Sequence, residues 1–195
     1  AQAAEEAAQR DSLAPVERAL GEAVVARIGA LAPGALLLVP CGWHSVRGTG
    51  TVVLLVERGA AEGSVVVCNS GVGGLDYHPA RCAAGGAKIK YKTCLRLAHI
   101  ADARLTDPAF WTIAQTLWAK GAASEYSREE VLYDVLLPWL VEPRTVDEAL
   151  RETAASDTCA VYRTPRRAET SALGSCLEAL CYVLARAGVA QTDIA

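Results

Sequence analysis

The chain has 195 residues, of which 52% are apolar and 21% charged, with a formal net charge of −3. That is long enough for one domain with a sizeable core, and the mildly acidic balance leaves no basic footprint for nucleic acid or an anionic membrane. No run approaches the ~18 apolar residues of a membrane helix. The opening AQAAEEAAQR lacks the basic flank and apolar centre of a signal peptide, and seven cysteines without a short bridging framework fit the thiols of an intracellular, cytoplasmic protein.

In chain order, residues 1–11 are polar and Ala-rich without an apolar stripe, and are expected to form a disordered or frayed lead-in. Residues 12–195 then form a single domain, and the absence of Met marks the chain as processed or as a segment of a longer polypeptide or assembly. Behind Pro15, Val16, Leu20, Val24 and Ile28 recur every four residues, which predicts a helix from Ser12 to about Leu31, ending before Pro33-Gly34 and covering a sheet. Residues 35–39 read as a short strand and Pro40–Gly50 as a polar, Gly-rich loop. The runs Val52–Val56 and Val65–Val67 flank a Gly59–Gly63 turn and read as an antiparallel hairpin with both faces covered.

Asn69–Gly86 is a long turn region, and Lys88–Leu97 alternates as one half-exposed strand. Asp107-Pro108 opens a helix to about Lys120, with Trp111, Ala114, Leu117 and Trp118 inward and Gly121 as its stop. Ser127 with Glu130, and Thr145 with Glu148, have the spacing of capping boxes, and Pro138 is expected to kink or end the first of these helices. Thr158–Tyr162 reads as one more strand and Arg163–Glu169 as a charged loop. A last helix over Ala172–Leu184 carries Leu177, Leu180, Cys181 and Leu184 as its apolar face. The fold class is α+β, an antiparallel sheet of four or five strands packed with four or five helices.

The hairpin and the last helix together resemble a papain-like cysteine peptidase read in permuted order. In that family a catalytic His opens one strand, an orienting Asn sits in an Asn-Ser-Trp-Gly turn closing the next, and the nucleophile begins a helix after Gly-Ser. Here Asn69-Ser70-Gly71 resembles the turn without its Trp, and Gly174-Ser175-Cys176 resembles the nucleophile motif without the aromatic that follows it. Thr51 stands where the family His is expected, and residues 168–173 supply no Gln for the oxyanion position. The resemblance implies Cys176, His44 and Asn69 as the catalytic candidates, and a peptide or ubiquitin-like protein as the substrate class.

A thiol in the first turn of a helix gains from the positive end of the helix dipole, but a cysteine nucleophile also needs a base within ~2.6–3.2 Å and a group that orients the base. His44, just ahead of Thr51, is the first candidate base, before His78 and His99. Against these stand the bland readings: Cys176 as a small helical hydrophobe, Asn69 as a turn residue beside Gly71, and Thr51 as a β-branched strand residue. Cys41-x-x-His44 is half of a zinc site without a matching second pair, and the Gly-rich runs lack the helix and Lys of a phosphate loop. No metal and no cofactor is expected. Two readings stay open: a non-catalytic peptidase-like domain that binds a protein partner or a further part of its own polypeptide, and an active cysteine peptidase or deubiquitinase-like hydrolase with Cys176 as nucleophile and His44 as base.

Overall fold

The computed structural model describes residues 2–45, 48–71, 73–82, 88–119, 128–154, 161–164 and 171–189. Gln2–Gly29 forms one helix, α1. The helix expected from Ser12 thus begins at Gln2, as the Ala-rich composition of residues 2–11 allows. In the N-terminal part of its contact the buried face is displaced by one residue from the sequence reading, which it rejoins at Val24 and Ile28. Glu17, Gly21 and Ile28 are buried and Val24 is partly so, whereas Val16 and Leu20 are exposed.

Gly21 sets that face. A Cβ built on it would lie 2.7 Å from the backbone nitrogen of Thr112 and 2.3 Å from its Oγ1, so α1 crosses the helix Pro108–Ala119 (α4, numbered in chain order) at a point where only Gly fits. A Gly→Ala change inside a helix ordinarily stabilises by about 1 kcal/mol. At Gly21 the sign is expected to reverse, with a loss of about 1–3 kcal/mol from overpacking, read as a lower urea midpoint at unchanged m. A higher midpoint would mean that the two helices separate without cost.

Leu36–Ser45 (β1) and Gly48–Arg58 (β2) form a long hairpin in which His44 faces Thr49 and Gly42 faces Thr51 across the ladder. The segment expected as a loop from Pro40 is therefore strand almost to the turn. Glu62–Asn69 (β3) returns antiparallel to β2, with Val52 opposite Asn69. After the short helix Gly74–Tyr77 (α2), Ala80–Cys82 (β4) and Ile89–Lys92 (β5) pair with each other, and Cys94–Ala101 (β6) pairs with β3. The single strand expected over 88–97 is thus two, divided at the buried Thr93 where the chain passes from one sheet to another. The large sheet is antiparallel in the order β1-β2-β3-β6, and a small one joins β4, β5 and Tyr162–Arg163 (β7).

Asp102–Leu105 (α3) leads into α4. Asp107 caps α4 by accepting the Ala109 N–H at 2.7 Å, and Phe110, Trp111, Ala114 and Leu117 are buried, while Trp118, expected inward, is exposed at its end. Val131–Leu136 is a π-helical segment that runs into Leu137–Val141 (α5). The wide turn comes just before Pro138, which has no N–H to donate and would crowd the carbonyl four residues back in a regular helix. Val146–Ala154 (α6) opens on the expected capping box, with Glu148 N–H donating to Thr145 Oγ1 at 3.2 Å and Thr145 N–H to Glu148 Oε2 at 2.7 Å. Ser127, Gly121, residues 155–160 and most of the Arg163–Glu169 loop lie outside the described residues.

The protein is α+β, and the large sheet is covered on both faces. On one side Trp43, Val52, Leu54, Val56, Val65 and Val67 meet α1, α4, α5 and α6. On the other, Val53, Leu55, Val66, Cys68 and Cys94 meet Ala179 and Tyr182 of the last helix, Ser171–Arg186 (α7). Both faces buried is what the unbroken Val and Leu runs of β2 and β3 require. None of the helices among the described residues is long and apolar enough to cross a membrane.

Candidate functional site

The Gly-Ser-Cys sequence lies on α7, which runs over β2 and β3. Because the helix starts at Ser171, Cys176 sits in its second turn, not its first, and its side chain is exposed. The neighbouring Ser175 is fully buried and ties the helix to the sheet. Its Oγ donates to the Thr51 carbonyl at 2.8 Å and accepts the Ser70 N–H at 3.2 Å. One turn on, the buried Glu178 carboxylate accepts from Thr93 Oγ1 at 2.8 Å and from Arg163 Nε at 3.2 Å. The sheet-facing side of α7 is thus Gly174, Ser175, Glu178, Ala179, Cys181 and Tyr182, whereas Leu177 and Leu180, expected inside, are exposed.

Asn69 is placed differently from Cys176. In the β2/β3 register it stands opposite Val52, whose side chain belongs to the core under α1 and α4, not to the layer under α7. Its side chain accordingly turns away from α7. Nδ2 donates to Tyr133 Oη at 2.9 Å, and Oδ1 accepts the Gly71 N–H at 2.8 Å. Tyr133, on the π-helical segment, in turn bonds His78 Nε2 at 2.9 Å, and His78 Nδ1 bonds the Lys92 carbonyl at 2.6 Å.

The direction of every proton in this chain follows from its ends. A carbonyl only accepts, so Nδ1 of His78 carries the hydrogen; in the neutral ring Nε2 then accepts from the Tyr133 hydroxyl, which accepts from Asn69. Burial holds His78 neutral, with its pKa lowered to about 4, and burial likewise raises that of Tyr133. Aromatic rings enclose the network. Tyr77 stacks on Tyr133 at 4.3 Å between centroids, and Trp43 meets it edge-on at 6.1 Å. Gly74 lets the Tyr91 ring approach, since a Cβ there would be 2.5 Å from it. The bonds from Asn69 to Tyr133 and to the Gly71 N–H rigidify the Asn-Ser-Gly turn.

The structure therefore brings the Cys176 helix onto the Thr51 hairpin, as the sequence expected, but puts the side chains of Asn69 and Cys176 on opposite faces of the sheet. Thr51 is buried and makes its contact to α7 through its carbonyl. His44 lies at the far end of β1, its Nδ1 3.2 Å from Thr49 Oγ1. On the ladder it stands two residues along and one strand over from Thr51, roughly 8 Å by strand spacing. His99 is exposed at a bulge of β6 and bonds Glu62 at 2.9 Å.

Cys41 and His44 are three residues apart on a strand, where alternation sends them to opposite faces. Cys41 is buried beside Gln115, and burial pushes its thiol up to about 12. Among the described residues no group of three or more His, Cys, Asp and Glu could hold a metal ion.

Tyr133, Glu178 and Arg163 were not singled out from the sequence as site residues, and Ser175 entered only as part of the Gly-Ser-Cys motif. Their partners lie 55 or more residues away in all but the Arg163–Glu178 pair, and only the polar residues interrupting an apolar helix pointed to them. No protein-family model, curated protein or solved structure matches the chain.

Proposed function

We propose that the chain is a non-catalytic module with a permuted, papain-like cysteine-peptidase arrangement, intracellular and cytoplasmic, that binds protein. Its partner is a separate protein or a further part of its own polypeptide. Support for the arrangement comes from α7 lying along the Thr51–Asn69 hairpin, with Ser175 joined to both the Thr51 carbonyl and the Ser70 N–H.

The observation that carries the non-catalytic reading is the opposed placement of Asn69 and Cys176. The Asn69 amide is spent on Tyr133 and Gly71 beneath the sheet, so it has no imidazole to orient on the side where the thiol lies. Thr51 supplies no titrating group near neutral pH. Acyl transfer would lack the proton delivery that general acid–base catalysis provides, worth ~10²–10⁴-fold.

One observation favours an active peptidase instead. Cys176 is exposed, and His44 is on the hairpin that anchors Ser175. The two readings part on a single experiment, the reactivity of Cys176 toward substrate-like electrophiles compared with another exposed thiol of the same chain.

A further inference from the structure

Helix α7 is inverted. An amphipathic helix on a sheet buries its leucines and shows its charges, but here the side against the sheet holds Ser175 and Glu178 among Gly174, Ala179, Cys181 and Tyr182, and the side toward solvent holds leucines. Leu173, Leu177 and Leu180 are 63%, 43% and 52% exposed, and Leu184 is partly buried. Glu178 is the only Asp, Glu, Lys or Arg between Ala172 and Ala185, and it points inward. Single exposed leucines need no explanation. A continuous stripe of them along a stretch of helix whose one charge, Glu178, is turned inward does.

We infer that this stripe is a self-complementary seam on which a second copy of the chain docks, α7 against α7 in antiparallel orientation. The inference rests on the protein-binding reading above and names its partner. The leucines are spaced four, three and four residues apart, which is the spacing of knobs-into-holes packing. The same spacing reads identically in both directions. A two-fold axis between Leu177 and Leu180 therefore sets Leu177 against Leu180 of the other copy, and Leu173 against Leu184, so that one surface satisfies itself.

Charge agrees with this choice of occupant. With no charged group on the seam, two copies meet without repulsion, and the antiparallel arrangement puts the positive end of each helix dipole beside the negative end of the other. Arg186, near the end of the helix, is held back by its ion pair with Glu57. Four leucines bury less than the ~800 Å² per partner of a standard interface, so the dimer is expected to dissociate on dilution.

The test is sedimentation equilibrium of the full chain over a wide concentration range, beside Leu177→Asp/Leu180→Asp and Leu173→Glu. The unaltered chain is expected to pass from 20.5 kDa to twice that mass as concentration rises. The double variant, which would bury two unpaired carboxylates, is expected to dimerise at least ~100-fold more weakly, and Leu173→Glu ~10-fold more weakly. An unaltered chain that stays monomeric throughout overturns the inference, as does a double variant that dimerises as tightly. Neither result bears on whether Cys176 is a nucleophile, so failure of the seam and failure of the non-catalytic reading are told apart.

Discussion

Lowering the pH from 6.5 to 4 is expected to remove on the order of 3 kcal/mol of folding stability through His78 alone. Its folded-state pKa is lowered from 6.5 to about 4 by burial, which outweighs the opposing hydrogen bond to the Lys92 carbonyl; the Lys92 charge adds a smaller lowering. The unfolded chain takes up the proton near pH 6.5 while the folded one refuses it until about 4. Stability is therefore full above 6.5, falls as the pH drops through that window, and levels off below the folded pKa. Urea midpoints of the natural chain and of His78→Gln, compared at pH 7 and pH 4.5, isolate the effect, because the variant has no imidazole to titrate and keeps an amide N–H for the Lys92 carbonyl. Equal losses in the two proteins would show that His78 is not held neutral by the fold.

The second large effect belongs to α7, where Glu178→Ala is expected to cost about 2–3 kcal/mol and Leu180→Ala less than ~0.5 kcal/mol. Removing the Glu178 carboxylate leaves the buried Thr93 hydroxyl without its acceptor, takes away the partner of Arg163 and opens space under the helix. Leu180 loses only what an exposed side chain contributes. Arg163 is 42% exposed and regains water when released, which keeps the figure below that of a fully buried ion pair. Denaturation at concentrations where the chain is monomeric makes the comparison. If the leucine proves the costlier loss, the helix is seated the other way round.

The hairpin was legible because its signals are local. Unbroken Val and Leu runs ask for cover on both sides, the glycines at 59 and 63 bracket the turn, and the structure has each of these. The capping box at Thr145 and the Asp107 cap were legible for the same reason. What escaped was the facing of residues whose partners are distant. Thr51 and Asn69 were placed at the same edge, which they are, but the ladder pairs Asn69 with Val52, and an offset of one residue on a strand turns a side chain to the other face.

Periodicity misled on both long helices. In α7 the leucines have the stronger apolar pattern, yet the buried Ser175 and Glu178 find partners on Thr51, Ser70, Thr93 and Arg163, and once these are satisfied the leucines face out. In α1 the close approach of Thr112 to Gly21 selects the face containing Gly21, and Val16 and Leu20 are left on its rim. The division of Lys88–Leu97 at Thr93 was likewise hidden, since the alternation continues through the point where the chain changes sheets.

The central claim is that Cys176 is an exposed thiol without a catalytic partner, and Cys82, exposed on β4, is the control within the same molecule. The measurement is the rate at which a thiol-directed peptide or ubiquitin probe labels each cysteine, resolved by peptide mapping, in the natural chain and in His44→Ala. Cys176 is expected to label no faster than Cys82, with no change on removing His44. Labelling of Cys176 far ahead of Cys82, lost in His44→Ala, would contradict the account and identify His44 as the base of a working peptidase.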